Sequence, residues 1–128
     1  MTIEENKAIV RKSLRWWESG DVGILDETTT SDIIAHASGG AIFSGREAVK
    51  KRLASHIAFF NERQMTITDI FGEGDRVAAR YDWSGVTRKG GRTVKITNQA
   101  IYRIADGLIA EEWEELDTKG LAEQTATP

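Results

Sequence analysis

The sequence contains no cysteine, which excludes disulfide bonds, thiol nucleophiles and metal sites with cysteine ligands. Histidine is almost as scarce: His36 and His56 are the only two, too few for a histidine-rich metal site. No glycine-rich phosphate loop, nucleophile elbow or metal-ligand spacing occurs along the chain. We therefore expect no metal ion and no other cofactor.

Long apolar runs are also missing, since no stretch approaches the 18 residues that a membrane helix requires. Residues 1–5 are acidic rather than basic, unlike a signal peptide, so we expect a cytoplasmic protein. The net charge is −3 and the basic residues are scattered, their closest cluster being residues 50–52. Such a run is typical of a solvated helix face. We expect neither nucleic acid nor a membrane as partner.

The 128 residues are predicted to form a single domain, with a core over about residues 3–117 and a polar tail over 118–128 that frays. Apolar residues at helical spacing predict three helices, over residues 3–19, 22–28 and 46–61. A brief extended segment is predicted to reach His36. The period then changes to two and predicts a meander of four strands, over residues 65–71, 76–86, 92–105 and 108–116. Helices followed by a meander indicate an α+β fold.

Several segments occur in an order and spacing that resemble a known family, namely residues 5–10, 18–21, 44–49, 74–80 and 101–113. The series resembles the SnoaL-like polyketide cyclases, within the nuclear-transport-factor-2-like superfamily that also holds the ketosteroid isomerases. This resemblance implies a cone-shaped, curved antiparallel sheet packed on the three N-terminal helices and enclosing a pocket. It further implies a small apolar organic ligand, and a homodimer formed through the outer face of the sheet.

The resemblance also sorts strand residues between the pocket and the outer face. The residues expected to face inward are Ala79, Tyr81, Trp83, Asn98, Ala100, Tyr102, Glu112, Glu114 and Leu116. Those expected to face outward are Arg80, Asp82, Arg103, Glu111, Trp113 and Glu115. A strict two-residue turn at Asp106 and Gly107 would exchange these sets on the last strand. The family pattern needs one extra residue there, such as a three-residue turn with a glycine bulge supplies.

Two residues are candidates for catalysis. His36 lies nine residues before Gly45, where the resemblance implies the general base of the isomerases. Glu112, with Asn98 fourteen residues before it, matches the acid/base pair of the cyclases, although both residue types differ from that pattern. Steroid isomerisation is not expected, because Ser13 and Ala100 stand where the isomerases place their oxyanion donors.

The residues themselves give a second reason to consider Glu112. Glu112 and Glu114 stand at i and i+2, so on a strand they share one face. Inside an apolar cone the two carboxylates would repel and lose solvation, which raises at least one pKa. The alternative is an acidic strand neutralised by nearby arginines. The residues expected to contact substrate are Trp17, His56, Tyr81, Trp83, Asn98, Tyr102 and Glu114.

Three functions stay open at this point. The first is an enzyme that needs no cofactor and uses acid/base chemistry on an apolar, polyketide-like carbonyl compound. The second is a non-catalytic ligand-binding or dimerisation domain of the same fold. The third is a protein-interaction module, for which no exposed apolar patch beyond the dimer face is visible. An epoxide hydrolase is disfavoured, because Arg80 and Asp82 are expected to face outward rather than into the pocket.

Overall fold

Helices occupy most of the first half of the chain and strands most of the second, in the computed structural model that describes residues 1–126. The helices are α1 (Ile3–Leu14), α2 (Trp16–Ser19), α3 (Leu25–Thr28), α4 (Arg46–Phe59) and α5 (Thr118–Thr125), with a 3₁₀ turn over Val22–Ile24. The strands are β1 (Thr29–His36), β2 (Ile42–Ser44), β3 (Phe60–Glu73), β4 (Arg76–Thr87), β5 (Thr93–Ala105) and β6 (Leu108–Leu116).

The first predicted helix is a pair of helices that share one buried side. Thr2 caps α1, since its Oγ1 accepts a hydrogen bond from the backbone N–H of Glu5 at 3.0 Å. Val10, Leu14 and Trp17 are buried along α1 and α2. These helices therefore cover one face of the sheet, which we call the inner face; the opposite face is the outer face.

The sheet has six strands in the order β2-β1-β6-β5-β4-β3. The predicted four-strand meander is present as β3 to β6, each strand antiparallel to the next. The brief extended segment expected near His36 is instead a strand of eight residues, β1, which pairs in parallel with β6. Ala35 thus lies opposite Glu112, and His36 lies opposite Trp113.

A bulge in β6 determines which of its side chains face inward. The turn is a two-residue one, in which Asp106 and Gly107 both have positive φ. The register shifts by one residue shortly after it, between the pairs Ile104–Ile109 and Arg103–Glu111. The extra residue that the family pattern needs is therefore present, although it lies within the strand and not in the turn. The bulge places Glu112 opposite Tyr102.

A second bulge corrects the simple alternation predicted for β3. The register shifts between Ile67 and Asp69, so Thr68 is an extra residue there. Ile67 and Ile70 consequently both pack on the core, whereas Phe71 is 65% exposed on the outer face. The strict alternation of residues 65–71 was wrong beyond Ile67 for this reason.

The C-terminal segment forms a helix, α5, where fraying was predicted from Asp117 onward. Asp117 caps this helix by accepting a hydrogen bond from the backbone N–H of Gly120 at 2.8 Å. The Gln124 side chain then pairs with the backbone of Lys95, accepting from its N–H at 2.7 Å and donating to its carbonyl at 3.0 Å. Leu121 packs on the core. The last two residues of the predicted tail lie outside the described part of the chain.

Candidate functional site

A cavity of about 170 Å³ lies between the inner face of the sheet and the helices α2, α4 and α5. Most of the side chains around it are apolar or aromatic. They are Trp16, Trp17, Ser38, Arg52, Leu53, His56, Phe60, Met65, Tyr81, Trp83, Asn98, Glu114, Leu116, Thr118 and Leu121. We call this cavity the main pocket. Such an enclosed apolar site with a few polar groups is typical of small-molecule binding.

Three aromatic rings pack together on one side of the main pocket. The ring centroids of Trp17 and Trp83 are 4.8 Å apart, and Phe60 lies 5.6 Å from each of them. The indole N–H of Trp17 donates to the backbone carbonyls of Gln64, at 3.0 Å, and Ser84, at 3.2 Å. Because its polar hydrogen is already bonded and the residue is only 2% exposed, Trp17 supports the wall of the pocket and presents little surface to a ligand.

A smaller cavity of about 30 Å³ adjoins the main pocket, since five residues line both. Those five are Trp16, Arg52, Leu53, Tyr81 and Glu114. Glu112 and Tyr102 line the smaller one only. We call it the inner cavity. Its volume suits a water molecule or one small group of a ligand, and several polar side chains are present to bind either.

Glu112 lines the inner cavity and has a strongly shifted pKa. Burial raises its pKa to about 7, with a further increase from the negative charge of Glu114, while Arg52 acts in the opposite direction. No hydrogen-bond donor to this carboxyl group was found among residues 1–126, and none contributes to its pKa. Its remaining accessible surface faces the inner cavity. At neutral pH the group is therefore present in both protonation states, unpaired and next to open space.

Glu114 is held by an ion pair with an arginine, as the alternative for this acidic strand allowed, but the sequence did not identify which arginine. Arg52 on α4 donates from Nη2 to Glu114 Oε1, and the two side chains are only 14% and 16% exposed. The guanidinium also lies over the ring of Phe43, 5.2 Å from its centroid. The basic run over residues 50–52 predicted a solvated position for Arg52. The missed signal was its spacing, since it follows buried Val49 by three residues on the core side of the helix.

Asn98 belongs to the network of Glu114 rather than to that of Glu112. Its Nδ2 donates to the Tyr81 hydroxyl at 2.9 Å and to Glu114 Oε2 at 3.4 Å. In the sheet Asn98 lies opposite Leu116, four residues beyond Glu112 along β6. The pair of Asn98 and Glu112 taken from the resemblance is thus not in contact. Burial raises the pKa of Tyr81, so its hydroxyl stays protonated.

A family model described as a SnoaL-like domain matches residues 10–112. The chain belongs to this family. The match confirms the resemblance predicted from the sequence, and with it the α+β fold of helices on a curved sheet.

Solved structures agree with this SnoaL-like assignment. TsrD from Streptomyces laurentii is 24% identical with a TM-score of 0.86, over 97% of this chain and 96% of that one. IdmH from Streptomyces antibioticus, a candidate polyketide cyclase, is 26% identical with a TM-score of 0.82, over 93% and 96%. An LEH-like epoxide hydrolase from M. tuberculosis is 17% identical with a TM-score of 0.79, over 95% of this chain and 92% of that one. No curated protein sequence matches the chain.

Most of the side chains predicted for the site of this SnoaL-like protein do border the two cavities. Trp17, His56, Trp83 and Asn98 line the main pocket, Tyr102 and Glu112 line the inner cavity, and Tyr81 and Glu114 line both. His56 also lies 6.5 Å from Trp16, ring to ring. Burial lowers the pKa of His56, and the positive charge of Arg52 lowers it further, so the imidazole is neutral at neutral pH.

His36 lines neither the main pocket nor the inner cavity, which corrects the prediction of His36 as a catalytic residue. Its Nε2 lies 2.7 Å from Glu111 Oε2, and its ring stacks on Trp113 with centroids 5.2 Å apart. Both partners belong to the outer face. The reason is the alternation of β1: Ile33 and Ala35 face the core, so His36 must face away from it.

Arg80 and Asp82 lie on the outer face, as expected. Arg80 pairs with Asp69 at 2.6 Å, and Asp82 accepts a hydrogen bond from Thr97. Within residues 1–126, no group of three or more His, Asp or Glu side chains could hold a metal ion. Of the helices in the same range, none has the length and apolar character needed to cross a membrane.

Proposed function

We propose that this SnoaL-like protein is an enzyme that uses acid/base chemistry, without a cofactor, on a small apolar carbonyl compound. Glu112 is the general acid and base. One observation carries the proposal: an unpaired carboxyl group faces a small cavity that adjoins an apolar, aromatic pocket. The likeness to IdmH, itself a candidate polyketide cyclase, supports the same class of chemistry.

The proposed reaction begins when ionised Glu112 removes a proton from the carbon next to the substrate carbonyl. The electrons of the broken C–H bond move to the carbonyl oxygen and form an enolate. Glu112, now protonated, returns the proton to the same carbon or to a different one. In a cyclisation, the enolate carbon would instead attack a second carbonyl group of the same molecule, and the oxygen of that second group would take the proton from Glu112. A pKa of about 7 suits both halves of the cycle.

Proton exchange with solvent tests this proposal directly. Acetophenone, a small apolar ketone, is incubated with the protein in D2O, and loss of its methyl proton signal is followed by NMR. We expect the wild-type rate to rise with pH up to about 7, since the ionised form of Glu112 is the base. Glu112→Gln should lower the rate about 10²- to 10⁴-fold. Glu111→Gln is the matched control, because the neighbouring carboxylate faces outward and its loss should leave the rate unchanged.

A wild-type rate equal to that of buffer, or an undiminished rate in Glu112→Gln, would refute catalysis by Glu112. The alternative function is then a non-catalytic ligand-binding domain. One observation favours it: the inner cavity is about 30 Å³, so a ligand in the main pocket can bind without touching Glu112. Tight binding of ketones without proton exchange would be its signature.

We also propose that two copies of the chain associate through the outer face. Phe71 and Ile101 are 65% and 46% exposed there, close to Trp113. Sedimentation at micromolar concentrations should give a homodimer, and Ile101→Glu should shift it to monomer. A wild-type protein that stays monomeric at tens of micromolar would exclude this interface.

A further inference from the structure

Arg52 is positioned to act on a ligand as well as to hold Glu114. It borders both the main pocket and the inner cavity, and its side chain is 14% exposed. Nη2 is bonded to Glu114, while the other guanidinium nitrogens make no hydrogen bond within residues 1–126. None of these nitrogens is fully buried. Its free N–H groups therefore retain accessible surface, in a side chain that borders the two cavities.

The size of the main pocket limits the ligand that Arg52 can meet. Pockets for drug-sized molecules usually measure about 300–1,000 Å³. An engineered apolar cavity of about 150 Å³ in another protein holds a benzene molecule. At about 170 Å³, the main pocket is close to this second case, and the partly buried rings of Trp16 and Trp83 give it flat surfaces that suit an aromatic ring.

We infer that the pocket takes a single-ring carbonyl compound, whose ring lies against Trp16 and Trp83 and whose carbonyl oxygen accepts hydrogen bonds from Arg52. This inference deepens the proposed function and rests on its claim that the pocket is the substrate site. It names Arg52 as a catalytic residue. It also excludes fused multi-ring compounds as ligands of the pocket.

The chemistry of proton removal requires such a donor. When Glu112 takes the proton, negative charge moves to the carbonyl oxygen, and a fixed cation beside that oxygen lowers the barrier. The isomerase donors are missing at Ser13 and Ala100, so the charge must be stabilised from elsewhere. The ion pair with Glu114 holds the guanidinium in place before the substrate arrives, and little reorganisation remains for the reaction itself.

Binding of three neutral probes tests the inference. The dissociation constants of acetophenone, ethylbenzene and anthrone are measured by calorimetry. Ethylbenzene has the ring without the carbonyl group, and anthrone has a carbonyl group within three fused rings. For the wild type we expect acetophenone to bind at least about tenfold more tightly than ethylbenzene, because a hydrogen bond to a charged donor is lost with the carbonyl group. Anthrone should not bind.

The variant that removes the donor is R52M combined with E114Q. Changing both partners avoids a buried unpaired carboxylate, which would destabilise the fold. We expect this variant to bind acetophenone and ethylbenzene about equally, with the affinity for ethylbenzene unchanged from the wild type. The matched control is R80M combined with D69N, which removes an arginine–carboxylate pair from the outer face and should keep the preference.

A spectroscopic readout separates carbonyl recognition from a structural role of Arg52. With acetophenone labelled with ¹³C at the carbonyl carbon, a hydrogen bond from a guanidinium should move the carbonyl resonance downfield on binding to the wild type. The R52M/E114Q protein should show no such shift. If that variant fails to fold, the wild-type resonance still decides, because an unshifted bound signal overturns the inference.

Three binding results would also overturn it: equal affinity of the wild type for acetophenone and ethylbenzene, an unchanged preference in R52M/E114Q, or anthrone binding as tightly as acetophenone. Failure of the proposed function is distinguishable from all of these. Acetophenone would then bind with its carbonyl preference and shifted resonance, but proton exchange would not depend on Glu112. If Arg52 also stabilises the enolate, the proton exchange of acetophenone should be slower in R52M/E114Q than in the wild type.

Discussion

Replacing Glu112 with Gln should make the stability of the protein less dependent on pH. The folded protein raises the pKa of Glu112 from 4.5 to about 7, so it binds this proton more tightly than the unfolded chain does. As the pH rises through that interval, the folded state must either retain a proton that the unfolded chain has already released or carry a buried charge. The free energy of unfolding therefore falls between pH 4.5 and 7.

The size of the effect follows from the shift. A difference of 2.5 units, from 4.5 to about 7, corresponds to about 3 kcal/mol. Because the carboxyl group faces a cavity that can hold water, we expect a measured value of about 2 kcal/mol. Glu112→Gln removes the ionisation. Its stability relative to the wild type should thus be about 2 kcal/mol greater at pH 8 than at pH 4.

Urea unfolding followed by circular dichroism, at one protein concentration and at several pH values between 4 and 8, measures this difference. Glu111→Gln is the control with the opposite sign. The hydrogen bond from His36 lowers the pKa of Glu111, and the cation Arg103 contributes too, so ionised Glu111 stabilises the fold and its loss should cost more at pH 8 than at pH 4. Relative stabilities of Glu112→Gln that agree at pH 4 and pH 8 to within about 0.5 kcal/mol would refute a raised pKa.

Three further changes test other parts of the molecule. Gln124→Ala removes both hydrogen bonds to Lys95. Stopped-flow measurements should then show faster release of acetophenone, with little change in the free energy of unfolding. An unaltered release rate would mean that α5 does not control entry. His36→Ala should cost about 1 kcal/mol or less in urea unfolding and leave acetophenone affinity unchanged, whereas lost affinity would place His36 at the site after all. Gly85→Ala would bring a Cβ to 3.0 Å from Phe60, and we expect a loss of about 1–3 kcal/mol in urea; unchanged stability would show that Phe60 can move freely.

The sequence predicted which strand side chains face inward, because the alternation of side chains along a strand is a local property. Once the turn at Asp106 and Gly107 is recognised, the parity of β5 and β6 depends on one extra residue, and the family pattern supplied it. Tyr102, Glu112 and Glu114 therefore reached the cavities as expected. The position of that extra residue within the strand could not be predicted, since both arrangements give the same parity.

The positions of His36 and Arg52 could not be predicted in the same way. His36 was assigned by its distance from Gly45 along the chain, which says nothing about the face of β1 on which it falls. The apolar residues Ile33 and Ala35 carried that information. The burial of Arg52 was not predicted, because a charged residue in a basic run is usually solvated, although its helical spacing places it on the core side. Its burial depends on Glu114, a partner 62 residues away that local patterns cannot identify.

The position of α5 separates access to the pocket from the stability of the scaffold. Thr118 and Leu121 complete the wall of the main pocket, and the helix is joined to the rest of the protein by the Gln124 side chain, the backbone N–H of Asp117 and the packing of Leu121. The strands, the bulges and the buried ion pair lie elsewhere. Evolution or protein engineering could therefore retune how quickly ligands enter and leave by changing residues of this eight-residue helix that do not line the pocket, such as Gln124, while Arg52, Glu112 and the core stay as they are.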